Sequence, residues 1–151
     1  MRFAVVAAVL FATSSSAVLA DWQFTRWGMT RAEFEAASPG SVTFEAPDGP
    51  DQVAKGPYRV GLVDVTAQYA FHLGRLRSVV LSTPDQFTCE SMAAALTKRY
   101  GAPVKDAGVA GLENFSWDDQ PGNNAMQYVS MEKDGCFVAY GPLANDASSI
   151  L

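Results

Sequence analysis

Few side chains in this sequence are of a type that could do chemistry. His72 is the single histidine, so a nucleophile–base–carboxylate relay or a zinc site would have to be built around it. It stands in an expected hairpin turn, where a surface or packing role is expected. No G-x-S-x-G, glycine-rich phosphate loop or H-E-x-x-H occurs. Cys89 and Cys136 are the only thiols and lie 47 positions apart. Two pairs of carboxylates remain. Asp118 and Asp119 follow Trp117 at an expected strand end, and Asp48 and Asp51 share a turn-rich stretch. Close carboxylates can run acid–base chemistry when their surroundings push their pKa values apart, and they can hold calcium through oxygen. Neither pair fits the D-x-D/N-x-D/N-G calcium pattern, and acids in turns are ordinarily solvated. No catalytic residue, metal site or cofactor is assigned from these residues.

Binding asks for less. Trp22, Trp27 and Trp117 could anchor a protein partner or stack on a sugar. Trp27 and Trp117 read as core residues; Trp22 is left open. The stretch from Asp48 to Tyr58 is rich in Pro and Gly and is expected to be an exposed, adaptable binding loop, with Asp48, Asp51, Lys55 and Tyr58 as its contact residues. Arg75 and Arg77 flank Leu76 and read as a solvated strand face.

These residues need elements to position them. Thr30 with Glu33 three residues later forms a capping box, and Met29 and Phe34 can close over it as a hydrophobic staple. A short helix over 31–37 follows, ended by Ser38-Pro39-Gly40. Residues 42–46 read as a short strand. From 63 to 71, Val63, Val65, Ala67, Tyr69 and Phe71 alternate with more polar residues, a strand with one buried face. His72-Leu73-Gly74-Arg75 turns the backbone into a partner strand over 76–82. A second helix is expected behind a Thr83 cap with Pro84 at its first position. Cys89, Met92, Ala93, Leu96 and Tyr100 form its apolar stripe, and Gly101 as a left-handed C′ residue with Pro103 stops it. Strands over 114–118, 125–132 and 136–140 complete the sequence, the last two joined by a Lys133-Asp134-Gly135 hairpin turn. The order is α-β-β-β-α-β-β-β, which predicts an α+β fold with two helices on one face of an antiparallel sheet and suggests two similar helix-plus-sheet halves.

The first twenty residues read as a signal peptide. Arg2 gives a positive start, residues 3–12 are apolar but too short to span a bilayer, and Val18-Leu19-Ala20 suits cleavage before Asp21. Residues 21–143 are then one domain, with 144–151 a loose tail. Loss of Arg2 makes the net charge of −5 one unit more negative. That balance argues against nucleic acid or an anionic membrane surface as partner, and no stable membrane insertion of the exported protein is expected. In an oxidising periplasmic or secreted setting, Cys89 and Cys136 are expected to form a structural disulfide.

Two stretches carry a resemblance. Trp27-Gly28-Met29-Thr30 before Glu33-Phe34 resembles the W-G-M-S/T helix start of many small bacterial envelope proteins, and Leu96 to Pro103 followed by Trp117 resembles their L-x-x-x-Y-G-x-P…W pattern. The group includes outer-membrane-assembly lipoproteins of the SmpA type, and its helix-then-strands module is similar in architecture to secreted beta-lactamase inhibitor proteins. The resemblance covers some 25 residues of capping and packing types. The lipoproteins' lipidation cysteine is missing from this sequence. The resemblance implies an architecture and no functional residue. With an empty catalytic inventory, the leading expectation is a non-catalytic module that binds a protein partner in the periplasm. An inhibitor of a periplasmic or secreted enzyme is the second reading, and a glycan-acting enzyme using Asp118 and Asp119 the third.

Overall fold

The structure, a computed structural model, describes residues 22–38, 40–60, 62–105, 111–131 and 134–143. The expected leader, its cleavage point, the loose tail, Pro39 and Lys133 lie outside these. A short helix α1 (Arg31–Ala37) leads into strands β1 (Thr43–Phe44), β2 (Asp51–Val60), β3 (Val63–His72) and β4 (Arg75–Thr83). A longer helix α2 (Gln86–Tyr100) then leads into β5 (Val104–Lys105), β6 (Leu112–Asp119), β7 (Asn124–Met131) and β8 (Gly135–Pro142). All eight strands form one antiparallel sheet in the order β1-β2-β3-β4-β8-β7-β6-β5. The class is therefore α+β with an antiparallel sheet. Each helix-led run contributes four strands rather than the expected three.

The extra strand β2 replaces the expected binding loop. Asp51, Lys55 and Tyr58 stand on it, and Asp48 and Asp51 close a tight turn through paired backbone hydrogen bonds of 2.8 and 3.0 Å. The reason lies in the neighbour. β3 presents the strongest alternating face in the sequence, and β2 pairs with it along its whole length, from Asp51 opposite His72 to Val60 opposite Val63. Ala54, fully buried, sits opposite Tyr69, while Pro57 is exposed. β1 covers only Ala54 and Lys55 on the far side. Pro57 therefore occupies an outer strand, where its missing N–H is tolerated.

The core gathers on the sheet face formed by Ala67, Tyr69 and Phe71 of β3, Val79 and Leu81 of β4, Val138 and Tyr140 of β8, and Met126 and Tyr128 of β7. Phe34 of α1 is fully buried against Tyr69 and Phe71, with ring centroids 4.8 and 5.3 Å away. Burial of such a side chain contributes roughly 1.5–3 kcal/mol. The capping box is present: the Glu33 N–H donates to the Thr30 hydroxyl at 3.3 Å, and the Thr30 N–H to the Glu33 carboxylate at 2.7 Å.

Helix α2 is capped by Asp85 and not by Thr83. Thr83 is taken up by strand pairing with Cys136, and Asp85 accepts from the Thr88 N–H at 2.7 Å. Gly101 ends the helix as its C-cap, with φ 88° and ψ −167°, a different conformation from the left-handed one expected. Cys89 and Cys136 form a buried disulfide that ties α2 to β8, with Cα atoms 5.7 Å apart. The Tyr128 hydroxyl donates to the Cys89 carbonyl at 3.2 Å on the same face. No described helix is long and apolar enough to cross a membrane.

Candidate functional site

The sheet order brings the last strands of the two halves together, and a cleft of about 480 Å3 opens along their joint. Leu81 of β4 and Tyr140 of β8 lie at this joint. Tyr58, Arg59 and Val60 at the end of β2 line one side, Leu96, Arg99 and Tyr100 at the end of α2 another, and the β6–β7 turn a third. Trp22 and Gln23, just before α1, complete it.

Each wall has a local cause. The alternation of β2 sends Tyr58 to the same face as Ala54, toward the core, because the two residues are four apart on a strand. Trp22 is buried among Tyr58, Tyr69 and Tyr140, with centroids 4.7, 5.9 and 5.7 Å away. Gln23, held at φ 60°, donates from Nε2 to the Tyr58 hydroxyl at 2.7 Å. That bond leaves the Tyr58 proton available to a ligand. In the β6–β7 turn, the Asp119 carboxylate accepts from the Gly122 N–H at 3.1 Å and the Asn124 amide at 3.3 Å. A Cβ on Gly122 would overlap the Asp119 carboxylate, so only glycine lets the turn close this tightly. The neighbouring Asn123 has φ 47°. Of the three described non-glycine residues at positive φ, Gln23 and Asn123 thus adjoin the cleft.

Electrostatics at the cleft favour donors. Burial raises the phenol pKa values of Tyr58, Tyr100 and Tyr140, so all three are neutral at physiological pH. Arg59 is held by Asp64 through two hydrogen bonds of 2.7 and 3.1 Å. Arg99 lies 5.3 Å from the Tyr100 ring centroid and has no ion-pair partner among the described residues. The arrangement offers aromatic faces, phenol hydroxyls and one uncommitted guanidinium.

Of the residues singled out from sequence, Trp22, Tyr58 and Asp119 meet in this cleft. Asp118, adjacent to Asp119 on β6, points to the opposite sheet face and is exposed, so the pair does not converge. Asp48, Asp51 and Lys55 stand elsewhere. Lys55 pairs with Glu45 at 2.7 Å, and Asp51 meets His72 Nδ1 at 2.7 Å on the sheet surface. Among the described residues, no group of three or more His, Cys, Asp or Glu side chains could hold a metal ion. Trp117 is buried and donates to the Gly101 carbonyl at 3.0 Å, while Trp27 donates to Asn124 Oδ1 at 3.0 Å and is only half-buried. Arg99, Tyr100, Tyr140 and Gln23 escape sequence reasoning as site residues. The cue for the first two is their place in the last turn of α2, which reads equally as a helix stop. A scan against protein-family models matched none, and searches of curated proteins and of solved structures returned no significant match.

Proposed function

We propose that this is an exported, non-catalytic protein-binding module of the cell envelope, and that the cleft between its two halves is where the partner is held. The observation that carries the reading is the composition of the cleft: Tyr58 and Tyr100 beside an uncommitted Arg99, with the one lining carboxylate, Asp119, engaged by its own turn. Rigid aromatics and arginine are the side chains that anchor protein interfaces. General acid–base work needs a poised group within reach of a reacting atom, and the divergence of Asp118 and Asp119 gives the glycan-acting alternative no support. The disulfide supports export, because such bonds persist in oxidising compartments.

Capture of envelope proteins on the immobilised wild-type protein, in parallel with a Tyr58→Ala, Arg99→Ala variant and an Asp118→Asn variant, tests the reading. A partner retained by wild type and Asp118→Asn but lost from the cleft variant is expected. Retention unchanged by the cleft variant would move the interface elsewhere. If the captured partner is an enzyme, loss of its turnover in the complex would make the protein an inhibitor. Export is checked separately by N-terminal sequencing, which should begin at Asp21.

A further inference from the structure

On the reading that the cleft holds a protein partner, we infer that it recognises a polypeptide carboxylate carried next to an aromatic or apolar side chain, as at the carboxy-terminal residue of a protein, with Arg99 as the residue that reads the charge. The first support is an arginine without an ion pair in an acidic protein. The protein as a whole has net charge −5, yet Arg99 stands at the cleft as a cation with no ion-pair partner among the described residues. Arg59, by contrast, follows Tyr58 on β2 and so carries its guanidinium on the other sheet face, paired with Asp64. Asp119, the one lining carboxylate, keeps its charge but is bound by the neutral donors of its own turn and makes no ion pair with Arg99.

The second support is the placement of donors. Arg99 sits by the Tyr100 ring, where the aromatic face restrains a planar guanidinium and leaves its N–H fork free to meet a carboxylate bidentately. The Tyr58 hydroxyl accepts from Gln23, which leaves its own hydrogen free to rotate and donate to a ligand in the cleft. The third support is the apolar lining. Half-buried Val60 and the ring of Tyr100, over the buried Leu81 and Leu96, lie beside these donors and give the side chain that accompanies the carboxylate an apolar contact. A carboxylate without such a neighbour would leave that surface uncovered, and an apolar group without the carboxylate would strand the guanidinium.

The test titrates the 15N-labelled exported protein with millimolar acetyl-phenylalanine and with acetyl-phenylalanine amide, following the Trp22 indole N–H, the Arg99 Nε–H and the backbone of residues 119–124. The free acid is expected to shift these signals saturably, and the amide to bind at least roughly tenfold more weakly, since a charge-assisted pair is lost. Arg99→Gln should weaken the acid by about the same factor and leave the amide unchanged, and Arg99→Lys should restore part of the loss. Equal binding of acid and amide, or an Arg99→Gln variant that binds the acid normally, would overturn the inference while leaving partner capture by the cleft untouched. Glucuronate shifting the same signals as strongly as acetyl-phenylalanine would also overturn it, by assigning the site to an acidic sugar. Arg99 is exposed, and unchanged amide dispersion in Arg99→Gln confirms that a loss of binding is not a loss of fold.

Discussion

Thr30 and Glu33 divide the orphan N–H groups of the first turn of α1 between them, one hydroxyl and one carboxylate each accepting from the other's backbone. Thr30→Ala should cost about 1 kcal/mol, read as a lower urea midpoint with an unchanged slope. The effect is local, so Phe34 should stay buried in the variant. Gly122 is a harder case, because its requirement comes from a neighbour's side chain rather than from helix chemistry. Gly122→Ala would place a methyl group where the Asp119 carboxylate now lies, so the carboxylate must give up its bonds to the Gly122 N–H and the Asn124 amide. A loss of roughly 1–3 kcal/mol is expected from the two disrupted hydrogen bonds, checked by thermal unfolding. A midpoint within experimental error of wild type would mean that the turn relaxes without cost. At this scale the capping box is fully legible in the sequence, since both partners lie within one turn. The Asp119–Gly122–Asn124 network is not, because a Pro-Gly-Asn-Asn run specifies a turn without specifying which carboxylate fills it.

Strand β2 shows where sequence patterning stops. Its inward residues are Gln52, Ala54, Gly56, Tyr58 and Val60, too mixed to stand out as an apolar face, and Pro57 interrupts the run. What makes it a strand is the edge offered by β3, a tertiary contribution that overrides weak intrinsic preference. The same logic explains why β3, β4 and α1 are legible to within a residue or two, since each has its own period or cap. Helix α2 lies where its apolar stripe predicts, but it starts behind Asp85 because β4 runs on through Thr83 to pair with β8. That junction also holds the covalent link. The bond between Cys89 and Cys136 closes a loop with a sequence separation of 47. Replacing both cysteines by alanine should lower stability by up to about 4 kcal/mol in the chain-entropy treatment. Chemical denaturation of the double variant checks this, and a change under about 1 kcal/mol would show that the packing of α2 alone suffices.

The whole molecule responds to alkali through its tyrosines. Burial raises the pKa values of Tyr58, Tyr100, Tyr128 and Tyr140, and pushes Tyr69 up to about 12. An unfolded tyrosine ionises near pH 10, so above that pH the unfolded state binds fewer protons than the folded one. The contribution is complete below about pH 10 and is lost as pH rises from there through about 12. The thermal midpoint should therefore fall over that window, and less steeply in Tyr69→Phe. A midpoint flat to pH 11 would contradict the burial of these phenols. The sheet order has a different consequence, for the sequence of events in which the protein is made. β4 and β8 are the final strands of their halves, yet they lie side by side in the middle of the sheet. A polypeptide emerging N-terminus first must hold β4 with its inner edge bare until β8 arrives. Such an edge is a template for pairing with another molecule. A truncation before Gly135 would accordingly not fold to a sheet shortened by one border strand. It would expose two bare edges, β4 and β7, where the intact molecule has its centre, and aggregation during synthesis is the form its failure should take.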